Sequence, residues 1–201
     1  MLRSEPGRGR PRTFDEETVL DAALDLFWRQ GYRSTTTRNL ETALDMSQPS
    51  IYNAFGSKRD LLLRTMDRYE SRIEDELLST LSDHDDGYEA IEQFLAKLTG
   101  WIEDNQARGC LMVNMMVGDL RDEAVAERVE SYRSKIGDAF AEAIGRSETD
   151  AAVVSARADL LLAAVLGLHI TARTAGCGAA VTAMADNIAR QVSEWRAATA
   201  A

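Results

Sequence analysis

Ser47-Gln48-Pro49-Ser50-Ile51-Tyr52-Asn53-Ala54-Phe55-Gly56-Ser57-Lys58 decides the reading of this chain. Ser47 is placed to cap a short helix. Pro49 falls in the first turn, where a missing N–H costs nothing. Ile51, Ala54 and Phe55 are the apolar positions, which leaves Gln48, Ser50, Tyr52 and Asn53 facing outward. Gly56 stops the helix and Ser57 caps the next one. A helix that buries one edge and offers small polar groups on the other can lie in a major groove. Gln and Asn pair with adenine edges, and Ser and Tyr hydroxyls bond phosphates. Lys58 adds a cation near the same surface.

The residues before this stretch supply its frame. Thr13 and Glu16 have capping-box spacing, so a first helix is expected from Thr13. Its apolar stripe is Val19, Ala22, Ala23, Leu26 and Phe27, and Gly31 closes it. Thr35–Thr37 offer caps for a short helix through Leu44, with Leu40, Ala43 and Leu44 inward. Asp45-Met46 makes the turn. A helix, then two short helices around a tight turn, is a helix-turn-helix.

Downstream the pattern stays helical. Leu62, Met66, Tyr69, Ile73 and Leu77 mark a long helix, and 83–87 reads as an acidic turn. Further helices are expected at about 88–106, 109–119, 122–145, 150–174 and 178–197. No segment alternates like a strand. The fold expected is all-α, with about nine helices. Its parts are a basic arm at 1–12, a helix-turn-helix domain at 13–58, and a helical ligand-binding and dimerisation domain at 59–201.

Charge supports a protein that meets an anion with one end only. The 201 residues carry 33 acidic and 23 basic side chains, a net charge of −10. Residues 1–60 balance, with nine of each sign, so the later part holds the whole acidic excess. Arg8, Arg10 and Arg12 sit among Gly and Pro in an extended arm suited to an A·T-rich minor groove. Two cysteines, Cys110 and Cys177, have no CxxC spacing, and a reducing, cytoplasmic setting is expected. The apolar stretch Leu160–Ile170 reads as too short and interrupted for a bilayer, so no membrane is expected.

Residues 13–63 resemble the N-terminal domain of the TetR family of bacterial transcriptional regulators. The resemblance rests on Leu26-Phe27, Gly31-Tyr32, the Thr35–Thr37 run, and Tyr52, Phe55, Lys58 and Leu61 in the spacing aromatic–x–x–Phe–x–x–Lys–x–x–Leu. It implies that Tyr52 and Lys58 contact phosphates, that Thr37 and Arg38 touch backbone, and that Gln48, Ser50 and Asn53 read bases. Asn53 and Pro49 depart from the family's commoner residues, which leaves the operator open. The resemblance also implies a double-stranded DNA operator, a homodimer through the last two helices, and a small-molecule ligand between the middle helices.

The residues themselves give candidates for that ligand. Phe94, Trp101, Met112, Met115, Met116, Tyr132 and His169 are soft, aromatic or amphipathic, suited to an apolar or amphipathic molecule. Each also reads as ordinary core. His169 is expected as a satisfied core or interface histidine, with ligand donor and pH-sensitive group as alternatives. Cys110 follows Gly109 and Arg108, where an activated thiolate would make a redox or electrophile sensor; a buried inert thiol is the other reading. Ala163, Ala164, Gly167, Ala172, Ala180, Ala183 and Ala185 would let the last two helices approach partners closely. No HExxH, GxSxG, Walker loop or metal-ligand cluster occurs, so neither an enzyme nor a cofactor or metal is expected. A helical adaptor without DNA is the remaining rival.

Overall fold

The computed structural model describes residues 14–118 and 122–199. Arg8, Arg10, Arg12 and Thr13 lie outside the described residues. The first helix, α1 (Glu16–Gln30), is capped at Asp15 rather than Thr13. The Thr18 hydroxyl donates to the Asp15 carboxylate, and Glu16 and Glu17 suit the positive end of the helix dipole. Its buried face is wider than the expected stripe and includes Leu24 and Trp28. Gly31 then takes φ 80°, which only glycine adopts cheaply.

Thr36 caps α2 (Thr37–Leu44) in a full capping box with Asn39. Leu40 and Leu44 are buried, but Ala43, expected inward, is exposed. Its position is rotated off the stripe those two leucines define. Asp45 turns the chain at φ 49°, and α3 (Gln48–Phe55) follows from Ser47. Glu41 accepts the Gln48 backbone N–H at 2.8 Å, tying the two short helices together. Ser57 and Asp60 form a second capping box that starts α4 (Lys58–Glu76).

A 3₁₀ turn (Leu78–Ser82) and an Asp86 cap lead into α5 (Gly87–Asp104). The helix expected at 109–119 starts later, as α6 (Leu111–Gly118). Gln106, Ala107 and Gly109 all have positive φ, so the 105–110 connector cannot be helical. A Cβ on Gly109 would sit 3.0 Å from the His169 carbonyl oxygen, so the connector lies directly on a later helix. The chain continues through α7 (Glu123–Gly145), α8 (Ala151–Ala175) and α9 (Ala179–Thr199). All nine α-helices, and no strand, are found among the described residues.

Packing joins the two ends of the chain. α1 lies on α4, α7 on α8, and α5 and α8 on α9. Trp28 stacks on Trp101 at 5.4 Å, meets Tyr69 edge-on at 5.2 Å, and donates its indole N–H to the Gly109 carbonyl at 3.1 Å. Trp28→Phe should keep most of the ring contact but orphan that buried carbonyl. The expected cost is about 1–3 kcal/mol, read as a lower urea midpoint at unchanged slope.

α8 extends the apolar stretch Leu160–Ile170 into a longer helix, and length and composition alone do not set it apart from a packed core helix. At 25 residues, with mean hydropathy 1.8 in its most apolar window, it is long and apolar enough to cross a bilayer. It packs on α7 and α9 yet leaves Leu160 55% and Ile170 49% exposed. Of the small residues, Ala172 and Ala185 are buried, whereas Ala163, Ala180 and Ala183 are exposed.

Candidate nucleic-acid interface and inner cavity

α3 is pinned by Ile51 and Phe55, both almost fully buried, and Phe14 packs on Phe55 at 5.7 Å. The opposite side carries Gln48, Pro49, Ser50 and Asn53, all exposed, with Tyr52 half-buried between them and the core. Gln48 and Tyr52, and Pro49 and Asn53, are four apart and so neighbours on the helix surface. The Ser50 hydroxyl shares a 2.9 Å hydrogen bond with Ser47.

Three expected contact residues converge on the turn before α2. The Tyr52 hydroxyl lies 3.4 Å from the Thr37 hydroxyl. Lys58 donates to the Thr35 carbonyl, and its ammonium sits 4.3 Å from the centre of the Tyr32 ring. Arg38 is exposed one residue further on. The ammonium is therefore positioned by protein groups on two sides. Two hydroxyls and a cation near a helix N-terminus make a surface chemically suited to phosphate. Tyr32, beneath Lys58, and Glu41, beneath Gln48, were not among the sequence candidates. Their spacing to those residues is visible only once the turn is folded.

The interior holds a second feature. A cavity of about 30 Å³ lies between α4, α5, α7 and α8. Of the seven expected ligand residues, Phe94, Met116, Tyr132 and His169 line it, and so does Cys110. Three do not. Trp101 stands behind it, edge-on to His169 at 6.3 Å, with its N–H on Glu76. Met112 is sealed in the core at 0% exposure. Met115 faces a surface groove with Tyr32, Arg33 and Ile170. The walls also include Ile73, Leu77, Leu98, Ile136, Leu162 and Val165, which periodicity marked only as core or not at all.

His169 is buried, but its Nδ1 has no hydrogen-bond partner among the described residues. The expectation of a satisfied core histidine is thus corrected at Nδ1. Burial lowers its pKa to about 4. Above pH 6.5 the imidazole is neutral in folded and unfolded chains alike. Between pH 6.5 and 4 only the unfolded chain takes the proton, so stability falls as pH falls, by up to about 1.4 kcal/mol per pH unit. His169→Gln should remove that component. The check is the difference in pH slope between the two proteins, because carboxylates titrate in both.

Cys110 is 1% exposed, and burial pushes its thiol pKa up. Its Sγ faces the Tyr132 hydroxyl at 3.9 Å. A thiolate is disfavoured there, so the reading of Cys110 as an activated sensor is set aside. A larger, open groove of about 530 Å³ runs between α1 and α4. Most of its charges are paired, as in Arg68 with Asp21 at 2.9 Å and Arg108 with Asp25 at 2.5 Å. Among the described residues no group of three or more His, Cys, Asp or Glu could hold a metal ion.

Comparison with known proteins agrees with this geometry. The family model described as bacterial regulatory proteins, tetR family, matches residues 19–65. The HTH-type transcriptional repressor ComR of Escherichia coli (strain K12) is 31% identical over 109 residues, covering 53% of this chain and about half (52%) of that repressor. An uncharacterized HTH-type transcriptional regulator from the dhlA 5′ region of Xanthobacter autotrophicus is 25% identical, covering 84% of each. Among solved structures, a cysteine mutant of the TetR family transcriptional regulator CifR, complexed with 26bp double-strand operator DNA, superposes with a TM-score of 0.80. It is 26% identical over 90% of this chain and 98% of that one.

Proposed function

This chain belongs to the TetR family of bacterial regulatory proteins, and from that premise we propose that it is a DNA-binding transcriptional regulator acting as a homodimeric repressor. One observation carries the reading: Thr37, Tyr52 and Lys58 meet around a single turn while Gln48, Ser50 and Asn53 stay exposed on the adjoining helix. The first group, with Arg38, holds phosphates. The second, with Pro49 shaping the first turn, reads base edges. Residues 13–58 form the DNA-binding unit, 59–201 the sensing and dimerising one, and Arg8, Arg10 and Arg12 reach an adjacent minor groove.

The exposed α8 face, with Leu160, Ala163 and Ile170, supports a dimer through α8 and α9. A two-fold axis then sets two recognition helices on a palindrome and multiplies their discrimination. The inner cavity is where a small molecule shifts the population toward a spacing that DNA does not fit. Such a protein works in the cytoplasm. Selection of bound fragments from a random double-stranded pool by the full chain tests the reading. A palindromic consensus is expected, and no enrichment over the starting pool would overturn it.

A further inference from the structure

We propose that the inner cavity takes a compact, uncharged, mostly apolar molecule carrying one hydrogen-bonding group, with His169 Nδ1 as its polar anchor. This deepens the ligand-controlled reading and rests on it. The walls are aliphatic and aromatic, from Leu77, Phe94, Ile136, Leu162 and Val165. His169 lines them too, and its buried Nδ1 has no hydrogen-bond partner among the described residues. Such an atom loses its water without compensation unless a ligand group pairs with it.

Among the described residues the only charged side chain at the cavity is Arg133, and its guanidinium is held by Glu130 through two hydrogen bonds of 2.9 and 2.6 Å. It is also 43% exposed, so it stands at the rim and not in the interior. Neither a carboxylate nor an ammonium would find a buried counter-charge, and each would lose its hydration. At about 30 Å³ the space now holds no more than about one water. Entry therefore needs a side chain to yield. Met116 is half-buried, unbranched and at the wall, the one most able to do so. That favours small ligands over long ones.

Three probes of one shape separate the terms: para-cresol, para-xylene and para-toluate. Each is titrated into the full chain without DNA, read by tryptophan fluorescence and thermal shift. Trp101 is edge-on to His169, so occupancy should be reported directly. Para-cresol is expected to bind about tenfold more tightly than para-xylene, the value of one hydrogen bond, and para-toluate not to bind. His169→Leu should bring the cresol-to-xylene ratio near one while xylene still binds, and His169→Gln should restore it. His169→Phe replaces the leucine variant if that does not fold. Preference for para-toluate, no binding by any probe, or a cresol preference that survives loss of His169 would overturn the proposal. Cresol binding that releases no DNA in a parallel gel shift with a selected operator would leave the site intact and sink the regulatory reading instead.

Discussion

Tyr52→Ala combined with Lys58→Met will remove specific DNA retention at physiological salt while leaving the chain folded. Methionine keeps an unbranched aliphatic side chain beside the Tyr32 ring while deleting the charge and its hydrogen bond to the Thr35 carbonyl. A hydrogen bond to a charged group is worth about 1.5–3 kcal/mol. In a dimer the ammonium is lost twice, so affinity should fall roughly 10²–10⁴-fold from the lysine alone. The slope of log affinity against log salt should drop by about 1.8, since each phosphate contact contributes about 0.9. Gel shifts across a salt series read both quantities, with circular dichroism and sedimentation as controls for fold and assembly. An unchanged salt slope would show that Lys58 never meets a phosphate.

Gly87→Ala should be among the most destabilising single methyl additions in the chain. A Cβ there would lie 1.6 Å from the Ala143 carbonyl oxygen and 2.5 Å from its carbon. Both are backbone atoms of α7, so no rotamer change gives way and α5 must move bodily. That movement breaks the junction where the Gly87 N–H and the Asp86 carboxylate both engage the Ser147 hydroxyl, at 2.9 and 3.1 Å. The loss should be about 3 kcal/mol or more, at the upper end for overpacked sites. In a chain of this size it corresponds to a melting temperature lower by about 6–12 °C. Gly100, with open space at its Cβ position, is the control, and its alanine variant should melt no lower than the parent.

The DNA-facing third was legible because its signals are local. Ser57, Gly56, Pro49 and the Ile51–Phe55 pair each fix one turn of backbone or one buried contact, whatever the remainder of the chain does. Even so, Asn39 as the reciprocal cap of Thr36 and Asp15 as the start of α1 were missed, because several polar residues competed at each end. The cavity was harder. α6 is apolar nearly all round, so its period does not say which methionine faces inward, and only Met116 reaches the space. Trp101 looked like a ligand contact and instead buttresses one. Its role depends on Trp28, seventy-three positions earlier, and no local pattern carries that distance.

Gly109 and Cys110 share one rigid peptide unit but serve opposite halves of the molecule. The Gly109 carbonyl holds Trp28 of α1, while Cys110 forms part of the cavity wall. Arg108, just before them, grips Asp25 of the same helix, and its own carbonyl is held by Arg173 of α8. These neighbours cannot be displaced independently. Under the ligand-controlled reading, swelling of the cavity at Cys110 would therefore pull on α1, the helix packed against α2 and α4, along three consecutive residues.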